Sequence, residues 1–131
     1  MTTHKPSPPD KTPDEKTFPR RPLEVDKYVD TFLSLVCDTS RRYILELLAI
    51  PIKGGNIESP ERRSGDIARA IGLSAATTSE HLRLLTKHGL VSSRREGNVV
   101  YYRLRNHELV KAFHDLVIAL DHHYTHGLEI S

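Results

Sequence analysis

From Leu23 onward, apolar residues recur every three or four positions, switch once to strict alternation, and then return to the helical spacing. Val25, Tyr28, Val29, Phe32, Leu33 and Val36 predict a first helix from about Leu23 to Cys37, with Leu35 off the stripe. Asp38, Thr39 and Ser40 are cap-type residues ahead of Tyr43, Ile44, Leu45, Leu47 and Leu48. They predict a second helix, which Pro51 ends because proline cannot continue the hydrogen-bond ladder. Ser64 to Ile71 predicts a short helix with Ile67, Ala68 and Ile71 inward, and Gly72-Leu73-Ser74 makes a tight turn into the stretch that ends at Leu90. In that stretch Ser74 stands where an N-cap hydroxyl is needed, and Gly89 stands where a left-handed residue closes the helix. Thr78, Leu82 and Leu85 share one face, while Thr77, Ser79, Glu80 and Arg83 fall largely outside it. The alternation comes next: Leu90 to Glu96 and Val99 to Leu104 flank Gly97-Asn98, a dipeptide suited to a two-residue hairpin turn. Val100, Tyr102 and Leu104 share one hairpin face. A last helix, Asn106 to His126, carries Leu109, Val110, Phe113, Leu116, Val117, Leu120 and Tyr124 on a wide arc, with Ile118 outside it.

The predicted fold is mainly α with a small β-hairpin. Helix, glycine-containing turn and helix form a helix-turn-helix unit, although the two helices alone equally suit an ordinary αα-corner. A basic hairpin directly behind them turns the reading to a winged helix-turn-helix, whose second helix enters the major groove of double-stranded DNA. Both terminal helices carry more apolar surface than one face needs, which predicts a homodimer through the N- and C-terminal helices. Two such subunits would present paired helices to successive grooves of a palindromic site. The domain is expected to span residues 23–126, with a C-terminal tail over 127–131. Residues 1–22 hold six of the eight prolines among Lys, Thr, Asp and Glu, too little apolar surface to offset ordering entropy, and predict a disordered tail.

Charge sharpens this picture. Residues 1–60 balance nine Lys/Arg against nine Asp/Glu, residues 61–111 carry ten against five, and residues 112–131 carry none against three. The positive excess therefore falls on the second half of the helix-turn-helix and on the hairpin, as a phosphate-binding face requires. Arg94, Arg95 and Arg103 lie at or near the projecting hairpin, where guanidinium groups can follow the DNA backbone. No apolar run approaches the length of a membrane span, and no leader pattern precedes the domain, so a cytoplasmic location without membrane contact is expected. Cys37 is the only cysteine, which excludes an intrachain disulfide. Its apolar neighbours predict a small core residue. Gly54-Gly55 is followed by no Lys-Ser/Thr, so the loop from Pro51 to Pro60 is not a phosphate cradle. Gly-x-Ser-x-Gly and His-Glu-x-x-His are absent too, and an enzyme is not expected.

Asp38-Thr39-Ser40-Arg41-Arg42-Tyr43-Ile44-Leu45, Gly65-Asp66-Ile67-Ala68, Gly72-Leu73-Ser74, and Thr77, Ser79, His81 and Leu82 together resemble the ArsR/SmtB family of bacterial repressors. The similarity continues through Gly89-Leu90-Val91 and the hairpin Arg94-Arg95-Glu96-Gly97 to Val100-Tyr101-Tyr102-Arg103-Leu104, covering roughly residues 28–124. Thr39 stands where that family has proline. The resemblance implies a homodimeric winged-helix repressor, often released from its operator by a ligand. Carried over residue by residue, it places Ser74, Ala75, Ala76, Thr77, Ser79, Glu80, His81 and Arg83 of the helix, and Arg94, Arg95 and Asn98 of the wing, at DNA. Ala75, Ala76 and Glu80 depart from the polar or histidine residues usual there. Their methyls can touch thymine methyls, and Glu80 can accept from cytosine or repel phosphate.

Five of the eight histidines crowd the last 25 residues. His122 and His126 are four apart and so share a helix side, and Asp115 lies near the same stripe. His107, His114, Asp115, His122, His123 and His126 are therefore candidate ligands for zinc, nickel or cobalt. Relatives with a C-terminal-helix site carry an Asp-x-His pair that is missing here, where Asn106-His107-Glu108 stands instead. Exposed histidines without a metal role are the competing reading. A winged helix that binds protein in place of DNA is the alternative at the level of function.

Overall fold

A computed structural model describes residues 17–50 and 60–130, and these form two packing units, one through Thr31 and one from Phe32. The expected tail over residues 1–22 and loop over residues 51–60 lie mostly outside the described residues. In the first unit, Thr17 to Pro22 form no helix or strand, and the amides of Val25 and Asp26 donate to the Pro22 carbonyl to open α1 (Leu23–Val36). In the second unit, α2 (Thr39–Ala49) starts at Asp38, whose carboxylate accepts the Arg41 amide at 2.9 Å. This is the side-chain cap its sequence predicts. The ion-rich residues that follow the loop then form β1 (Arg62–Arg63), α3 (Ser64–Ile71), α4 (Ala75–Lys87), β2 (Val91–Glu96), β3 (Val99–Leu104) and α5 (His107–Ile130).

Local chemistry sets the helix-turn-helix. Gly72 adopts φ +82° at the end of α3, so its amide and that of Leu73 both reach the Ala68 carbonyl, at 2.9 and 3.0 Å. The turn needs a left-handed residue there, which glycine adopts without a Cβ clash. Ser74 Oγ then accepts the Thr77 amide at 3.1 Å and opens α4. Ile44, Leu45 and Leu48 of α2, Ile67 of α3, and Leu82 and Leu85 of α4 form one cluster with Leu90, Val91, Leu104 and Val110. Burial of this cluster, at about 25 cal/mol per Å² of apolar surface, is what holds the three helices against the sheet.

The sheet has order β1-β3-β2 and is antiparallel throughout. Val91 faces Leu104 and Glu96 faces Val99, so the hairpin closes on Gly97-Asn98 as its sequence predicts. Only β1 has no counterpart among the predicted elements: two arginines pair with Tyr102 and Tyr101 in a strand too short for any alternation to register.

Four further differences stand out. Leu35, expected off the stripe of α1, is buried with Val36, whereas Val25, Tyr28, Val29 and Leu33 are exposed. Cys37, expected in the core, is exposed. The helix stops at Val36 and the chain reverses into the Asp38 cap, which turns the thiol outward and leaves Leu35 and Val36 as the inward pair. The last helix runs to Ile130, past the expected end at His126, because no proline or cap interrupts residues 127–130. Along its arc only Val110 is buried, with Leu109 and Phe113 packed against the core, while Leu116, Leu120 and Tyr124 are exposed.

Candidate nucleic-acid interface

Helix α4 is anchored by one face. Thr78, Leu82 and Leu85 are fully buried, and at 3.6 residues per turn Ala76, Glu80, Arg83 and Lys87 lie on the opposite pole. The exposed first turn is made of short side chains: Ser74, Ala75, Ala76 and Thr77 are all exposed, as is Ser79. Ser74 Oγ donates to Thr77 Oγ1 at 3.0 Å while accepting the Thr77 amide, so the two hydroxyls are fixed relative to the helix start. A short-chain first turn with free amides is suited to close approach by a groove or a phosphate.

Besides Ser74 and Thr77, four of the expected contact residues, Glu80, His81, Arg83 and Arg94, are already engaged within the chain. Arg83 Nε and Nη2 donate to the two carboxylate oxygens of Glu80, at 3.2 and 2.6 Å. These hydrogen bonds hold the Glu80 carboxyl below its usual range and raise Arg83. His81 is half-buried and turned toward α2, its Nδ1 3.3 Å from Arg41 Nη1, so it belongs to the helix packing more than to the outward pole. On the wing, Arg94 donates twice to Glu61, at 3.1 and 2.9 Å, and once to Glu96 at 2.8 Å. Its guanidinium also lies 4.7 Å from the Tyr101 ring centroid. The Arg94 hydrogen bonds depress the Glu61 carboxyl, and Glu61 first and Glu96 second raise Arg94 above its ordinary range. Arg95, by contrast, has no partner among the described residues, and Asn98 is exposed at the hairpin tip. Glu61 was outside the expected site. Its role depends on a pairing across 33 residues that no local pattern announces.

The terminal histidines do not gather. Among the described residues no group of three or more His, Cys, Asp or Glu is placed to hold a metal ion. His114 Nδ1 is 3.2 Å from Glu46 Oε1 but lacks hydrogen-bond geometry, and Asp115 is taken by Lys111 at 2.8 Å. The His122 and His126 rings lie against each other, with centroids 3.9 Å apart, and His126 Nδ1 meets the His122 carbonyl at 2.9 Å. His107 and His123 stand apart from them, both exposed.

The chain's residues 38–93 match the model of the bacterial regulatory protein family named for arsR. The chain is 30% identical over 96 residues to the nodulation protein NolR of Rhizobium meliloti, covering 70% of this chain and 71% of that protein. It belongs to the ArsR family. A cadmium resistance transcriptional regulatory protein of Listeria innocua is 36% identical over 78 residues; the match covers 60% of this chain and spans only 59% of that regulator. Among solved structures, the homodimeric winged helix-turn-helix DNA-binding domain from Mycobacterium bovis superposes with a TM-score of 0.66 at 30% identity, covering 85% of this chain and 94% of that one. The matched family segment begins at the Asp38 cap and ends inside β2, so it contains both helices of the helix-turn-helix and the base of the wing.

Proposed function

We propose that this chain is a DNA-binding transcriptional regulator, acting as a repressor and binding a palindromic operator as a homodimer in the cytoplasm. The observation that carries the reading is the pole of α4: a helix locked by Thr78, Leu82 and Leu85 that leaves its opposite side and its short-chain first turn uncommitted to the core. Dimerisation is supported by apolar surface left over in one chain. Leu33, Val36, Phe113, Leu120 and Tyr124 border an open groove of about 660 Å³, with the Cys37 thiol at its edge. No helix among the described residues is long and apolar enough to cross a membrane.

The test is fluorescence anisotropy of the full chain on its own upstream DNA over a series of salt concentrations. Affinity should fall steeply with salt as phosphate counterions are released. Affinity that ignores salt, or no DNA binding at all, would favour a protein-binding winged helix. Regulation by zinc, nickel or cobalt is a second reading, favoured by the shared side of His122 and His126. Because the described residues of one chain supply no group of three donors, this reading takes its remaining ligands from a second copy. Repeating the titration on chelator-stripped protein with each metal decides it: a stoichiometric loss of affinity supports a metal response, and a metal-blind protein rejects it.

A further inference from the structure

At the outward pole of α4, one ion pair does something that simple phosphate attraction does not require. Glu80 accepts from Arg83 Nε and Nη2 in a two-point bond, with both side chains more than half exposed, at 58% and 59%. A guanidinium carries five N–H donors. Glu80 takes two of them, leaving both donors of Nη1 and one of Nη2 on the end turned away from the carboxylate. That end is a rigid two-donor fork. The pair as a whole carries no net charge, so it gains little from a phosphate. Its free fork matches a partner with two adjacent acceptors.

In the major groove only guanine offers that pattern, through O6 and N7. Adenine pairs one acceptor with a donor, thymine offers one acceptor beside a methyl, and cytosine presents a donor. Ala76, one turn before Glu80 on the same pole, has only a methyl and places no competing polar group there. Lys87, one turn beyond Arg83, is long and unpaired among the described residues, and can hold the adjoining backbone. We propose that Glu80 and Arg83 form a single guanine-reading unit, in which Arg83 donates to O6 and N7 of one guanine in each half-site and Glu80 is the positioning residue that sets the fork. This deepens the DNA-binding reading above and rests on it. It also changes the role of Glu80 from a base acceptor or phosphate repeller to an orienting group.

The experiment is selection of duplexes from a randomised library by the full chain, followed by affinity measurements across a salt series. The wild-type protein should enrich guanine at one fixed position of each half-site, preferring it to adenine by about tenfold or more. R83A should lose the preference at that position alone and keep the others, with the dependence of log affinity on log salt unchanged. E80A keeps the guanidinium but frees it: guanine preference should weaken several-fold while the salt slope steepens by about 0.9 per subunit, the increment for one added phosphate contact in each half-site. If R83A instead weakens every sequence alike and flattens the slope by about 0.9 per subunit, Arg83 is a phosphate contact and the inference is overturned. Enrichment of a site whose base preferences are all indifferent to R83A also overturns it while leaving the DNA-binding reading intact. Failure of the wild-type chain to enrich any sequence overturns both.

Discussion

The wing offers two adjacent arginines in opposite electrostatic situations, and their alanine variants should separate on DNA. Arg94 makes three charge-assisted hydrogen bonds to Glu61 and Glu96, between 2.8 and 3.1 Å, and stacks against Tyr101. To reach a phosphate it must leave both carboxylates and the ring. Arg95 has no described partner to leave. Each phosphate neutralised contributes a slope of about 0.9 to log affinity against log salt, so one contact changes affinity about 3.5-fold between 50 and 200 mM salt. R95A should therefore flatten the slope by about 0.9 per subunit and weaken binding to all sequences at low salt. R94A should leave the slope unchanged, and what affinity it loses should come from a looser wing. Anisotropy titrations at four or more salt concentrations measure both slopes directly. If the two variants flatten the slope equally, Arg94 abandons Glu61 and Glu96 on the DNA, and the assignment of Arg94 as a wing strut is wrong.

Three further outcomes follow from single residues. Thr78 is fully buried, and its hydroxyl has no hydrogen-bond partner among the described residues. T78V keeps the shape and the β-branch while removing that unpaired group, and should stabilise the chain by about 1 kcal/mol in chemical denaturation; destabilisation would mean that the hydroxyl is satisfied in solution. Ser74 caps α4 through the Thr77 amide, so S74A should cost about 1 kcal/mol and lower the melting temperature, with S74D retaining the cap. Asp38 has its carboxyl held below the ordinary value of 3.8, chiefly by the Arg41 amide. Because the folded value is the lower one, the stabilisation is complete above the unfolded pKa and disappears as pH falls through the folded value. D38N, which still caps, should match the wild type near pH 7 and lose less stability between pH 5 and 2; identical acid limbs would remove Asp38 from the pH dependence.

Much of the fold is legible because its signals are local. Ser74, Gly72 and Gly89 punctuate the helix-turn-helix, and period-two alternation around Gly97-Asn98 marks the hairpin within six residues on either side. The failures occur where the decisive partner is distant in sequence. Leu35 looks peripheral on a helical wheel of α1, yet it is inward because the helix stops one residue later and the chain turns at Cys37. β1 is a strand only because β3 lies beside it, and two arginines carry no period. The residues of α4 and the wing expected at DNA could be placed on their elements from sequence, but their ionic partners could not. Residue type suggested that Arg83 and Arg94 were free cations, and only the folded chain brings Glu80 and Glu61 to them.

That pairing sets a limit on the electrostatics of the whole interface. Of the ten cations between residues 61 and 111, Arg63 and Arg69 share Asp66, Arg83 has Glu80, Arg94 has Glu61 and Glu96, and Lys111 has Asp115. Arg62, Lys87, Arg95, Arg103 and Arg105 remain without an ion pair among the described residues, though Arg62 Nη2 already donates to the Ile50 carbonyl, Arg103 Nε donates to Ser92, and the Arg103 charge also acts on Glu61. The sequence excess of positive charge thus rests on five side chains, not ten. If the internal pairs survive binding, those five per subunit give a dimer about ten phosphate contacts from this segment, which contributes a slope of log affinity against log salt of about 9. A measured slope well above that value would require paired arginines to exchange their carboxylates for phosphates, or cations of residues 1–60 to join the contact. The double variant E61Q/E96Q tests the same point from the other side. If Arg94 is restrained by its partners in the wild type, freeing it should steepen the slope by about 0.9 per subunit. If it already contacts DNA, the slope should not move.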